Sequence, residues 1–322
     1  MTKRIIVFGA AVIGLSSLLF FTACKKKETK TEPSVETPDT QSGSDSRDVQ
    51  SENDAAMDDI NNVIGNSRLA GKGSENTGAA GVTGDICGLT VDSVDIINGV
   101  ITFSYTGVTC FNRTRTGVIK LTLQGLNKWK NAGSVIKVEY KNYKVVRASD
   151  KKSVTLNGIQ LLTNVSGGTW WDLVILKTKT NLITTVTGTN LNVTFEDNKT
   201  AVYNINRRLT YTYPGNILTV KAEGMGSSSG INDLENFGTG RNGEVFTSQV
   251  TTPIIWNVTC GGAVIQGAVN IKVSSKAFDL KFTYGVDVNG NPTVVAANNC
   301  PYGWKLDWTV NGSSNSKIFG YY

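Results

Sequence analysis

The chain has 322 residues, 32 lysines and arginines against 26 aspartates and glutamates, a net charge of +6 and no histidine. The missing histidine removes Ser-His-Asp and Cys-His nucleophile pairs, histidine-bearing zinc sites and the usual acid–base group near neutral pH. The apolar share of 39% is enough for a core, and the mild basic excess, without a basic motif, gives no reason to expect nucleic acid.

The first element is a leader. Lys3 and Arg4 precede an apolar run from Ile5 to Phe21, which closes on Thr22-Ala23-Cys24 and three lysines. A basic start, a short apolar middle and small residues at the end describe an export signal, residues 1–23, rather than a membrane span. The stretch "SLLFFTACKKKE" resembles the lipobox of bacterial lipoproteins. That resemblance implies cleavage before Cys24, a diacylglycerol on its sulfur, and a membrane as partner through the lipid anchor. Two or three acyl chains make physical sense, because one holds a protein only marginally. Lys25, where some lipoproteins retained at the inner membrane carry aspartate, favours an outer-membrane address and leaves the leaflet open.

Residues 24–83 then read as a lipidated, disordered tether. The composition "ETKTEPSVETPDTQSGSDSRDVQSEND" offers almost nothing to bury. Met57, Ile60 and Ile64 share one helical face behind the possible cap Asn53, which predicts one short helix near 54–65. Residues 25–83 hold 7 basic and 11 acidic side chains, whereas residues 84–322 hold 23 and 15. A basic body on an acidic tether suits anionic partners such as acidic glycans; a solvated surface of strand lysines explains the same division.

Residues 84–322 read as all-β. "VIKLTLQ" sets Ile119, Leu121 and Leu123 on one face, and "VIKVEYKNY" does the same with Ile136, Val138 and Tyr140. Further strands fall in "SVTLNGIQLL", "TWWDLVILK", "LNVTFED", "AVYNINRRLTYTY", "NILTVKAE", "EVFTSQV", "FDLKFTYGV" and "KLDWTV". Asn-Gly pairs at 98–99, 157–158, 242–243 and 289–290 predict tight turns. The expectation is a domain of antiparallel meanders and hairpins, most simply a large β-sandwich with two sheets face to face. The Gly/Ser-rich segment 223–243 is the one plausible place for a subdivision.

Four cysteines remain beyond Cys24, and an even number in an exported domain predicts disulfides. A two-residue turn at Asn98-Gly99 pairs residues whose numbers add to 197, which brings Cys87 to Cys110; Cys260–Cys300 follows by elimination. "GTGRNG" at 238–243 matches a dinucleotide fingerprint literally, but a strand and not a helix follows it, so it reads as a hairpin turn. "DVNGN" at 287–291 likewise reads as a turn rather than a calcium loop. No cofactor or metal is expected.

Two places join an aromatic platform to an acid, as a sugar site does: Trp171 with Asp172, and Trp304 with Asp307. Tryptophan alternating with polar residues is equally what a β core supplies. The ordered series "TCFNRTRTGVIKLTLQG", "VTFEDNKTAVYNINRRLTYT", "TGRNGEVFTSQVTTPIIW" and "CPYGWKLDWTVNG" resembles a family of uncharacterised lipoproteins from Bacteroidota. That resemblance implies a β architecture and a lipid anchor, and carries no catalytic residues. The expected function is a lipid-anchored cell-envelope module that binds glycans or envelope proteins, or shapes the surface, without catalysis. The alternatives are a polysaccharide-acting enzyme using paired carboxylates, with Asp172 or Asp307 taking part, and an adhesin or envelope-assembly subunit that docks through an open edge strand.

Overall fold

The computed structural model describes residues 41–67, 86–125, 128–274, 279–293, 300–310 and 313–321. The expected leader, Cys24 and the tether on either side of 41–67 lie outside the described residues.

The alternating segments become strands. β1 (Leu89–Asp95), β2 (Val100–Cys110), β3 (Arg113–Leu123), β4 (Ser134–Arg147), β5 (Ser153–Asn164), β6 (Asn181–Phe195) and β7 (Thr200–Thr212) make one antiparallel meander. β8 (Thr219–Gly224), β9 (Gly226–Ser228), β10 (Ile231–Thr239), β11 (Val245–Asn257), β12 (Val264–Val273), β13 (Asp279–Val286), β14 (Gly303–Val310) and β15 (Ser313–Gly320) follow. All belong to one sheet, in which β10 to β15 continue from β7, β8 pairs with β7 and β11, and β9 pairs with β10. The segment 223–243 contributes β9 and β10 to this sheet and so runs through the fold rather than between two parts of it.

The antiparallel β class is therefore as expected. The layer over the inner face is not the second sheet of a sandwich, however. It is a helix, α1 (Gln41–Asn66), of 26 residues. Ile60, Val63 and Ile64 are completely buried, and so are polar neighbours such as Asp45, Ser46 and Asn53. The disordered tether is overturned for this segment, and the short helix near 54–65 is only its C-terminal half. Composition misled because a polar segment cannot offset the entropy of ordering by apolar burial alone. Here the polar groups find partners. Ser42 donates to Glu244, Ser46 to Asn236, Gln160 to Asn53, and Tyr105 to Asp59. The approach is close enough that a Cβ on Gly43 would stand 2.4 Å from Leu280 Cδ1.

The sheet bends to reach around this helix. Register shifts cross it in a row, at Thr116/Val118, Tyr140/Tyr143, Asn157/Gln160 and Gly188/Leu191. An extra residue in a strand increases twist and curvature and reverses which side chains point inward. In β4 the buried set accordingly changes from Ile136, Val138 and Tyr140 to Tyr143 and Val145. Gly117 sits in this row with φ +97°, and a Cβ there would lie 2.1 Å from the Asn142 carbonyl oxygen. Asn157-Gly158, expected as a hairpin turn, belongs to the same row inside β5. The pairs at 98–99, 242–243 and 289–290 do lie in turns.

Two further expectations change. "TWWDLVILK" is not a strand but a single wide helical turn, Trp171–Ile175. The Asp172 carboxylate accepts from the Thr169 backbone N–H at 2.7 Å and from its hydroxyl at 2.8 Å, and such local bonding competes with a ladder. The disulfides join Cys87 to Cys110 and Cys260 to Cys300. The register used to reach the first pair is off by two, because the turn takes in Ile96–Gly99 and Asp95 pairs with Val100. Irregularities between Val91 and Ser93 and between Thr106 and Thr109 still let the cysteines meet. Each bridge contributes roughly 3–4 kcal/mol by restricting the unfolded chain.

Candidate functional site

α1 carries six acids: Asp45, Asp48, Glu52, Asp54, Asp58 and Asp59. Five are matched by five different arginines, four on strands and Arg241 in the turn between β10 and β11. Asp45 meets Arg241 at 2.6 Å, Asp48 meets Arg147 at 2.6 Å, Glu52 meets Arg113 at 3.0 Å and Asp59 meets Arg115 at 2.7 Å. Asp54 pairs with Arg207, which also faces Glu235 at 3.4 Å. The charge division between residues 25–83 and 84–322 is thus largely used inside the fold. Burial pushes the Asp54 and Glu235 carboxyls up, and Arg207 opposes that shift in both.

The sheet does not close over the whole helix. Arg47, Ser51, Asp54, Ala55, Asp58 and Asn62, spaced three or four residues apart, form a stripe that remains open or half-open. A cleft follows this stripe in two adjoining lobes. The first, of about 430 Å³, sets Asp58, Asn61 and Asn62 of the helix opposite Trp170, Tyr211 and Trp256. The second, of about 530 Å³, continues past Asp54 and Trp256 toward Arg47, Glu235 and Trp304. Trp170 meets Tyr211 edge to face at 4.9 Å, and Asn61 donates to the Tyr211 hydroxyl at 3.4 Å. Asp58 alone among the helix acids has no basic partner among the described residues. Partial enclosure in the cleft, with Asp54 and Asp59 beside it, pushes its carboxyl up to about 7 against the pull of Arg115.

No family model, curated protein or solved structure matches this chain. The site is therefore read from its own geometry. Among the described residues no helix is long and apolar enough to cross a membrane, and no group of histidine, cysteine, aspartate or glutamate side chains is placed to hold a metal ion.

The residues singled out in the sequence are not brought together. Trp171 is half-exposed on the wide turn, and Asp172 is consumed in holding that turn. Trp304 faces inward, stacked on Phe319 at 4.1 Å, with the Arg47 guanidinium 4.0 Å from its ring centre. Asp307, three residues on, faces the other way and pairs with Lys305 at 3.1 Å. Of the four, Trp304 alone reaches the cleft. Glu196 and Asp197, exposed at the turn after β6, lie 3.1 and 3.5 Å from the Arg241 guanidinium and add to its pairing with Asp45 of the helix. Tyr211, Trp256 and the helix acids were missed. Arg207 left a signal, because it stands in phase with buried Ile205, Leu209 and Tyr211, and a guanidinium placed inside demands an acid.

Proposed function

We propose that this protein is a lipid-anchored, non-catalytic binding module of the cell envelope, held at the membrane through Cys24 and taking a small ligand in the cleft along α1. The observation that carries the binding half is the first lobe. It is concave, walled by two tryptophans and a tyrosine, and floored by a few polar helix groups, which is the usual make-up of a ligand site. A ring-shaped ligand with one apolar face, such as a sugar, suits Tyr211 and Trp256 on one side and Asp58, Asn61 and Asn62 on the other. The non-catalytic half is supported by how the acids are spent. Hydrolysis of a glycosidic bond needs two free carboxyls facing each other, yet in the first lobe only Asp58 is free: Asp54 and Glu235 share Arg207, Asp172 holds a turn and Asp307 pairs with Lys305.

The anchor half is supported by the lipobox-like "TACK" and by the resemblance to Bacteroidota lipoproteins. Mass spectrometry of the native polypeptide is expected to find Cys24 as its first residue, carrying a diacylglycerol. An intact leader, or a bare Cys24, would refute that half. For the cleft, the mature chain on a glycan array is expected to bind without releasing product, and Asn62→Trp is expected to abolish binding by filling the first lobe. Asn62 lies on the open stripe, so this change blocks the lobe without removing packed atoms. Released product, or binding that ignores Asn62→Trp, would overturn the reading.

A further inference from the structure

We infer that the first lobe of the cleft is a site for a compact organic cation, an ammonium carried on a small carbon framework, with Asp58 as its counter-charge and Trp170, Tyr211 and Trp256 as its walls. The inference rests on the cleft being a binding site and specifies what it binds.

The pattern of pairing carries it. Asp45, Asp48, Glu52, Asp54 and Asp59 each have an arginine partner, and Asp58 faces the lobe with none. Among the described residues no sixth cation meets Asp58, which lines the lobe. The surrounding charge favours one. The charged lining of the first lobe is acidic only, Asp54 and Asp58, and Asp54 shares Arg207 with Glu235, whereas Arg47, Arg113 and Arg147 line the second lobe. The walls favour one as well. The face of an aromatic ring attracts a cation, and a pocket of several rings holds an ammonium while excluding a small hydrated metal ion. The lobe, at about 430 Å³, has room for a group of this size with its framework.

The ionisation of Asp58 fits the same occupant. The groups facing it are Asp54 and Asp59 on α1, Arg115 from β3 and Tyr211 from β7. The Asp58 side chain is exposed at the mouth of the lobe, and loss of part of its water there, with the two neighbouring acids, pushes its carboxyl up to about 7. A bound cation stabilises the ionised form, so affinity must rise as pH rises through that region and fall below it. The sign for stability is opposite. An Asp58 whose folded value lies above the ordinary 3.8 of an aspartate holds its proton longer in the folded state, so its cost is absent below 3.8 and grows as pH rises toward 7. Asp58→Asn removes that cost, and the variant is expected to fold and to be more stable than the parent above neutrality.

The test is calorimetric titration of the mature chain with two matched pairs whose cations stay charged at both pH values used: choline against 3,3-dimethylbutan-1-ol, and ethanolamine against ethylene glycol. At about pH 8 the cation of at least one pair is expected to bind at least about tenfold more tightly than its neutral counterpart, and the preference is expected to shrink by about tenfold at about pH 5.5. Asp58→Asn is expected to bring cation and neutral probe to equal affinity. Equal binding of both members in the parent overturns the cation while leaving the cleft as a site. A preference that survives Asp58→Asn overturns the assignment to this lobe. Silence toward all four probes, with a positive glycan array, overturns the cation alone, and silence in both assays overturns the cation and the cleft together.

Discussion

Replacing Arg207 with alanine is expected to remove about 3–5 kcal/mol of stability at neutral pH, read from denaturant unfolding. The Arg207 side chain is 2% exposed, and it stands between Asp54 on the helix and Glu235 on β10. Without it the buried Glu235 carboxylate and the half-buried Asp54 carboxylate are left with no counter-charge, and leaving a buried charge unpaired costs more than the pair itself contributes. The deficit should depend on pH with a definite sign. Burial already holds both carboxyls above their ordinary values, with Arg207 working against it, so the variant carries them higher still. A carboxyl raised in the folded state keeps its proton there first, and stability falls as pH rises from the unfolded value toward the folded one. The gap between variant and parent is therefore smallest in mild acid and widens toward neutrality. The triple change Arg207→Met, Asp54→Asn and Glu235→Gln should recover much of the loss, because no charge is then left buried. A loss below about 1 kcal/mol, or a gap that does not change with pH, would show that this triad does not join helix to sheet.

Ile60→Ala carries the second large effect, about 2–5 kcal/mol. Ile60 has no exposed surface, and its methyl groups lie in the core with Met57 and Ile64. Removing them leaves a void between helix and sheet that the surroundings fill only in part. The control is Asn62→Ala, on the open stripe of the same helix, which should change stability by less than about 0.5 kcal/mol. The contrast separates the observed fold from the tether that composition suggests. Were residues 41–66 an unattached leash, both variants would unfold with the parent, and coincident curves for Ile60→Ala and parent would sink the internal helix.

Both expectations concern the junction that the sequence hides best. Strand faces were legible because alternation is a local property: Ile119 and Leu121, and Ile136 and Val138, point inward as their spacing requires. The row of bulges was not legible. Asn157-Gly158 has the composition of a hairpin turn, and only pairing with β4 and β6 on both sides shows that it bends a continuous strand. "TWWDLVILK" has strand composition, yet one carboxylate bonded to a backbone N–H three residues earlier turns it into a helical loop. The aromatic and acidic residues of the candidate site were present in the sequence but belonged to the wrong neighbours. Trp171 and Asp172 are adjacent and share no site, whereas Asp58 and Trp256 are far apart in sequence and line one lobe.

The amino-acid sequence by itself determined the antiparallel β class, most strand positions and which side of several strands is buried. The two cysteine pairs it suggested are those of the structure, but the register that led to the first was off by two. The class, strand positions and faces follow from periodicity and spacing, which act over a few residues or one hairpin. Only the tertiary structure decided that an acidic, serine-rich segment is the centre of the fold and that a cleft runs along it. The physical reason is separation: the partner that makes Asp45 tolerable inside is Arg241, 196 residues away, and a polar helix is stable there only because the whole sheet delivers its arginines at once.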